Sequence, residues 1–159
     1  MTLYLAGAVA SARTELAAFD RALVAVGAAN YNLIRLSSVI PPGARVAVVP
    51  RVPPRTTARW GDRLYTVYAE QRASSPGEQA WAGVGWVQDD RTGAGLFVEH
   101  EGSSELSVRD QITASLAELQ ASRRMAIGET QMCVVGATCT DEPCCALVLC
   151  AYASEPWND

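Results

Sequence analysis

The stretch Asn30-Tyr31-Asn32-Leu33-Ile34-Arg35-Leu36-Ser37-Ser38-Val39-Ile40-Pro41-Pro42-Gly43 decides how this chain is read. Tyr31 to Leu36 have the aromatic and branched apolar content of a strand. That strand ends on two adjacent hydroxyls, and Pro41 and Pro42 break the extended run just beyond them. The Ser37-Ser38 junction is a candidate self-cleavage site. The rest of the composition strengthens this reading, because all 13 cationic side chains are arginine and the chain has no lysine. Without lysine an enzyme has no internal Schiff base to pyridoxal phosphate and no Walker-type lysine for a phosphate. A reactive carbonyl made from the chain's own serine stays open.

Around that stretch the sequence is of ordinary globular character. Its 159 residues suit one domain (1–159) with a single core, 49% are hydrophobic and 19% charged. Acids and arginines are interspersed in a net charge of −4, so no basic patch suggests nucleic acid. The opening residues, Met1 to Ala12, contain an Ala-x-Ala sequence but no basic region before it, and they also make a good strand; we expect no signal peptide. No apolar run approaches the ~20 residues of a membrane helix. Four of the five cysteines (Cys139, Cys144, Cys145, Cys150) fall near the C-terminal end without paired C-x2-C spacing, which favours buried reduced thiols over a metal site and fits a cytoplasmic protein.

Periodicity supplies the remaining elements. Strands are expected at 3–10, 31–36, 45–49, 64–70, 80–87, 95–99, 132–138 and 145–153. A first helix is expected from Thr14, as N-cap, to Val26 with Leu16, Phe19, Leu23 and Val26 as its apolar stripe. Asp20 falls at the edge of that stripe. A second helix is expected from a capping-box-like Ser107-Val-Arg-Asp110 to about Arg123, burying Val108, Ile112, Leu116 and Leu119. Residues 50–62, rich in proline and arginine, are expected to form a loop inside the domain. Many strands with two outer helices give an α+β fold, with helices layered on stacked, mainly antiparallel β-sheets in an αββα sandwich.

Several segments taken together resemble the pyruvoyl-dependent arginine decarboxylases. They are Glu15-Leu-Ala-Ala-Phe-Asp-Arg-Ala-Leu23, Asn32-Leu-Ile-Arg-Leu-Ser-Ser-Val-Ile-Pro-Pro-Gly43, Ala69-Glu-Gln-Arg72, Pro76-Gly-Glu78, Trp81-Ala-Gly-Val-Gly-Trp86, Glu99-His-Glu-Gly102 and Asp141-Glu-Pro143. A Ser-Ser pair alone says nothing, since Ser74-Ser75 and Ser103-Ser104 are also present. The asparagine, the apolar strand and the Pro-Pro-Gly after it make the likeness specific.

The resemblance implies a chain that cuts itself between Ser37 and Ser38 into a short (1–37) and a long (38–159) piece. Ser38 then becomes a covalently bound pyruvoyl group, with no pyridoxal phosphate and no metal. It further implies decarboxylation of L-arginine to agmatine and CO2 through a substrate Schiff base, in a homotrimer whose active sites lie between neighbours. Among the matching positions, Glu99 stands where the family has its proton donor and Asn32 where it has a processing residue; a hydrogen bond closing a loop is the alternative for Asn32. Asp20 matches the residue that meets the substrate guanidinium, with Leu16, Tyr31 and Val39 near the same pocket. Arg35, close to the cleavage strand, is at odds with a cationic substrate unless it points away. His100 reads as a strand residue, because no acyl-transfer motif accompanies it. The alternatives are an unprocessed, non-catalytic trimeric relative and a pyruvoyl decarboxylase of another amino acid.

Overall fold

The computed structural model describes residues 1–54, 59–123 and 128–157. Within the expected 50–62 loop, residues 55–58 lie outside that description. Among the described residues the chain forms nine strands and two helices. They are β1 (Thr2–Ser11), α1 (Glu15–Val26), β2 (Asn32–Arg35), β3 (Val39–Ile40), β4 (Arg45–Val48), β5 (Arg63–Ala73), β6 (Gln79–Gln88), β7 (Gly95–Gly102), α2 (Glu105–Arg123), β8 (Gln131–Thr138) and β9 (Cys144–Glu155). One sheet has the order β2-β5-β9-β1-β4 and the other β3-β7-β6-β8. Helix α1 packs on the outer face of the five-stranded sheet and α2 on the outer face of the four-stranded one, giving the expected αββα layering.

The layering follows from which side chains need cover. β9, central in its sheet, is covered on both faces and is buried from Cys144 to Tyr152. Its even-numbered residues, from Cys144 to Tyr152, join the core between the sheets, while Cys145, Leu147, Leu149 and Ala151 face α1. All five cysteines are free thiols and four are buried, as expected. Most strand pairs are antiparallel, but β1 with β4 and β2 with β5 are parallel. Strand β3 is only two residues long and carries no periodicity of its own, which is why it escapes a reading of the sequence.

Both helices form where expected, with corrections in detail. Thr14 caps α1 by accepting from Ala17 N–H at 3.1 Å, and Gly27, at φ 82°, closes it with bonds back to Leu23 and Val24 carbonyls. The face buried outright is Ala18, Ala22 and Val26, with Phe19 and Leu23 at its flanks, whereas Leu16 is 67% exposed. Small alanines let the helix axis approach the sheet, so the larger side chains splay to either side. Helix α2 starts two residues before the expected capping box: Val108 N–H already bonds the Ser104 carbonyl, and Ser104 Oγ accepts from Ser107 N–H at 3.4 Å. Its stripe of Val108, Ile112 and Leu116 is fully buried, each side chain stabilising the fold by about 1.5–3 kcal/mol. The stripe lies on a bare patch of β6, where a Cβ on Gly85 would stand 2.1 Å from Ile112 Cγ2.

Candidate active site

Ser38 lies where the chain leaves one sheet for the other. Leu36 still belongs to the five-stranded sheet, its N–H donating to the Thr66 carbonyl at 3.0 Å. Ser38 already belongs to the four-stranded sheet, its carbonyl accepting from Phe97 N–H at 2.8 Å. Packed sheets stand ~10 Å apart, which three extended residues only just span. The crossing is therefore taut, and Ser38 takes a left-handed backbone at φ 66°. For a residue with a Cβ that conformation costs roughly 1–2 kcal/mol.

The half-buried Ser38 hydroxyl donates to the Glu99 carboxylate, at 2.7 Å from Oε1 and 2.8 Å from Oε2. Glu99 sits on β7, one residue beyond Val98 and directly opposite Val84 of β6. Burial holds its carboxyl above the ordinary range; the Ser38 hydrogen bond and the positive charge of Arg35 pull the other way, and Glu101 adds a smaller push upward. Beneath it, burial and the Glu99 charge push the Cys150 thiol up, so Cys150 stays a neutral apolar neighbour. A nucleophilic hydroxyl, an acceptor for its proton and strained backbone thus meet at one point.

That point opens into a cleft of ≈ 680 Å³ along the edge of β7, lined by Ser38, Phe97, Glu99, His100, Ser115 and Glu118 among others. His100, on the strand as expected, bridges to α2 through a 2.8 Å hydrogen bond between Nε2 and Ser115 Oγ, which fixes one wall. Tyr152 carries no signal in the sequence. Its hydroxyl donates to the Val39 carbonyl at 3.1 Å, so the residue after Ser38 is held from the opposite sheet. Only its place on the inner face of β9 could have drawn notice, and that needs the sheet order.

The family model for pyruvoyl-dependent arginine decarboxylase matches residues 2–156. The chain belongs to this family. A pyruvoyl-dependent arginine decarboxylase of Halobacterium salinarum is 42% identical over 106 residues, 66% of this chain and 64% of the relative, so that match spans just under two thirds of the relative's length. One of Methanocaldococcus jannaschii is 30% identical over 119 residues (74% of this chain, 68% of the relative), and one of Thermococcus kodakarensis is 29% identical over 147 residues (92% and 90%). Among the described residues no helix is long and apolar enough to cross a membrane, and no cluster of three or more His, Cys, Asp or Glu is arranged to hold a metal ion.

Of the other residues that the family likeness singled out, all but Val39, next to Ser38 in the chain, lie away from Ser38. Asp20 and Leu16 are exposed on α1, which the five-stranded sheet separates from Glu99. Asn32 Nδ2 donates to the Gly61 carbonyl at 2.5 Å, the loop-closing bond that was the alternative to a processing role. Tyr31 lines a small separate hollow with Asn30, Arg59 and Trp60, and Val39 lines a groove with Pro41, Pro42 and Arg91 on the far side of the cleavage strand. Arg35 is turned aside: its guanidinium stacks 4.5 Å from the Tyr68 ring centre and donates to the Tyr68 carbonyl. It keeps only its long-range pull on Glu99.

Proposed function

We propose that this chain is a self-processing pyruvoyl-dependent decarboxylase that converts L-arginine to agmatine and CO2. The observation that carries this reading is the strained Ser38, whose hydroxyl donates to both oxygens of Glu99.

The processing step grows out of that contact. Glu99 takes the proton from Ser38 Oγ, and Oγ attacks the Ser37 carbonyl carbon. The Ser37–Ser38 C–N bond breaks, the nitrogen takes up a proton, and an ester joins the two residues. Loss of the Ser38 Cα proton then forms a Cα–Cβ double bond while the Cβ–O bond breaks, releasing the short chain with a carboxylate at Ser37. Phe97 N–H, at 2.8 Å from the Ser38 carbonyl, polarises that carbonyl and makes the Cα proton easier to remove. Water replaces nitrogen at Cα, ammonia leaves, and the long chain begins with a pyruvoyl group at position 38. Relief of the left-handed backbone favours the first step.

The residues at position 38 fit such a group: its carbonyl neighbours are held by Phe97 N–H and the Tyr152 hydroxyl, and it faces the cleft. When present, the group supplies a carbonyl that condenses with the substrate α-amine and accepts the electrons left by the departing carboxylate. Glu99, raised by burial, holds a proton that it delivers to the substrate Cα. The same carboxyl therefore serves as base in processing and as acid in turnover. Asp20 meets the guanidinium from a neighbouring protomer of a homotrimer, since the same chain's Asp20 stands behind a sheet. Asn32 aids processing only if it too acts across that interface, because its amide is engaged with Gly61 in its own chain.

Intact-mass analysis of the purified chain tests the proposal. Fragments of residues 1–37 and 38–159, the latter beginning with a group that reacts with hydroxylamine, support it. A single uncut chain under conditions where it is folded would refute it.

A further inference from the structure

We infer that Tyr152 is a positioning residue whose hydroxyl, reaching across from the other sheet, anchors the reactive end of the chain at position 38. The inference rests on the processing reading above and concerns a residue that the family likeness does not assign.

Two observations carry it. The ladder between β5 and β9 pairs Tyr65 with Ala153 and Thr66 with Ala151, so Tyr152 is the extra residue of a bulge. The bulge lies near the end of the ladder that holds Arg63, and across it Tyr152 keeps the inward alternation of Cys144, Ala146, Val148 and Cys150, so its side chain enters the core between the sheets. The second observation is where the side chain goes. The ring packs edge-on to Phe97, with centroids 6.1 Å apart, and the hydroxyl reaches across to the Val39 carbonyl at 3.1 Å. A phenylalanine would fill the same core volume, so what tyrosine adds is the link between sheets.

That link stands where the fold is weakest. Strand β3 pairs with β7 through Val39 and Ile40 alone. In the uncut chain β3 is also held through Ser37 to β2, but cleavage removes that hold and turns position 38 into a chain terminus, the kind of segment that frays unless tied down. Two contacts then remain on its first carbonyls, Phe97 N–H from its own sheet and Tyr152 O–H from the other. Before cleavage the same anchor opposes relaxation of the left-handed Ser38. The hydroxyl keeps its proton as a donor, because burial above all, with the Glu99 charge adding a smaller push, raises its pKa.

The test is Tyr152→Phe, which keeps the ring and its contacts with Phe97. In the cleavage-competent chain the fragment ending at Ser37 is expected to appear about tenfold more slowly, and the cut enzyme to lose kcat by a similar factor with KM for arginine changed less than about threefold. In an uncleavable Ser38→Ala background, amide exchange in a peptide covering 38–42 is expected to quicken about tenfold on adding Tyr152→Phe while the rest of the chain keeps its protection. A purely structural role would lower the melting temperature and speed exchange throughout β9, leaving cleavage rate and kcat alone. Unchanged cleavage together with unchanged exchange at 38–42 overturns the inference. Failure of the unmutated chain to cleave would sink the proposed function instead, and the exchange comparison would still decide whether the anchor exists.

Discussion

Replacing Glu99 by glutamine tests the proposed double role of this carboxyl most directly. The isosteric amide can still accept one hydrogen bond from Ser38 Oγ but has no use for its proton. The two contacts at 2.7 and 2.8 Å are charge-assisted when Glu99 is ionised, and such bonds contribute about 1.5–3 kcal/mol. Because one neutral bond is retained, the charge assistance forfeited is about 1 kcal/mol, roughly fivefold at about 1.36 kcal/mol per factor of ten, and the missing proton acceptor is the larger loss. Loss of a general base costs ~10²- to 10⁴-fold by itself, so self-cleavage is expected to slow by about a hundredfold or more. The assay is a time course of freshly purified chain on a denaturing gel, repeated across pH. In the native chain the rate should rise with pH as Glu99 loses its proton, with the rise displaced above the ordinary carboxylate range because burial raises its pKa. The glutamine variant should lack that limb. Stability shifts in the opposite sense. A carboxyl whose pKa is higher in the fold than in the unfolded chain contributes fully below its unfolded value and loses that contribution as pH rises through the folded one. The variant, always neutral, should therefore gain stability relative to the native chain as pH climbs through that window. Cleavage of Glu99→Gln at the unmutated rate and with unchanged pH dependence would refute the assignment of Glu99 as the base.

Ser38→Ala should leave an uncut chain, because it removes the attacking oxygen, while Ser37→Ala, which keeps the attacked carbonyl, should still cleave; a Ser38→Ala protein split at this bond would place the nucleophile elsewhere. Asp20→Asn should process normally yet raise KM for arginine by about 30-fold, equivalent to ~2 kcal/mol for losing a desolvated charge partner. Mixing it with a Ser38→Ala chain should restore some sites if Asp20 acts across protomers, and an unchanged KM would remove Asp20 from the pocket. Gly85→Ala, whose Cβ would stand 2.1 Å from Ile112, should lower stability by about 1–3 kcal/mol in a denaturant melt; a neutral result would mean that α2 shifts freely on β6.

Local chemistry determined a large part of this protein without any coordinates. Alternating apolar residues set the long strands, because a pleat exposes every second side chain. Thr14 and Gly27 set the ends of α1, because a cap is a matter of one side chain and a few adjacent amides. The Ser37-Ser38 junction and Glu99 were legible as residue types in a family pattern, and their meeting is the contact on which the proposed chemistry depends. What the linear sequence could not supply was anything set by the distance between sheets. The left-handed Ser38 comes from a three-residue crossing whose ends belong to different sheets, and the two-residue β3 exists only because β7 is there to receive it. Leu16 and Asp20 looked like parts of one pocket with Ser38, yet a whole sheet stands between them in a single chain, since periodicity gives the face of a helix and not which side of a sheet it covers. Tyr152, one of several apolar residues along β9, acquires its part from the inner face of that strand and from a carbonyl 113 positions away in sequence, a relation that long-range packing alone creates.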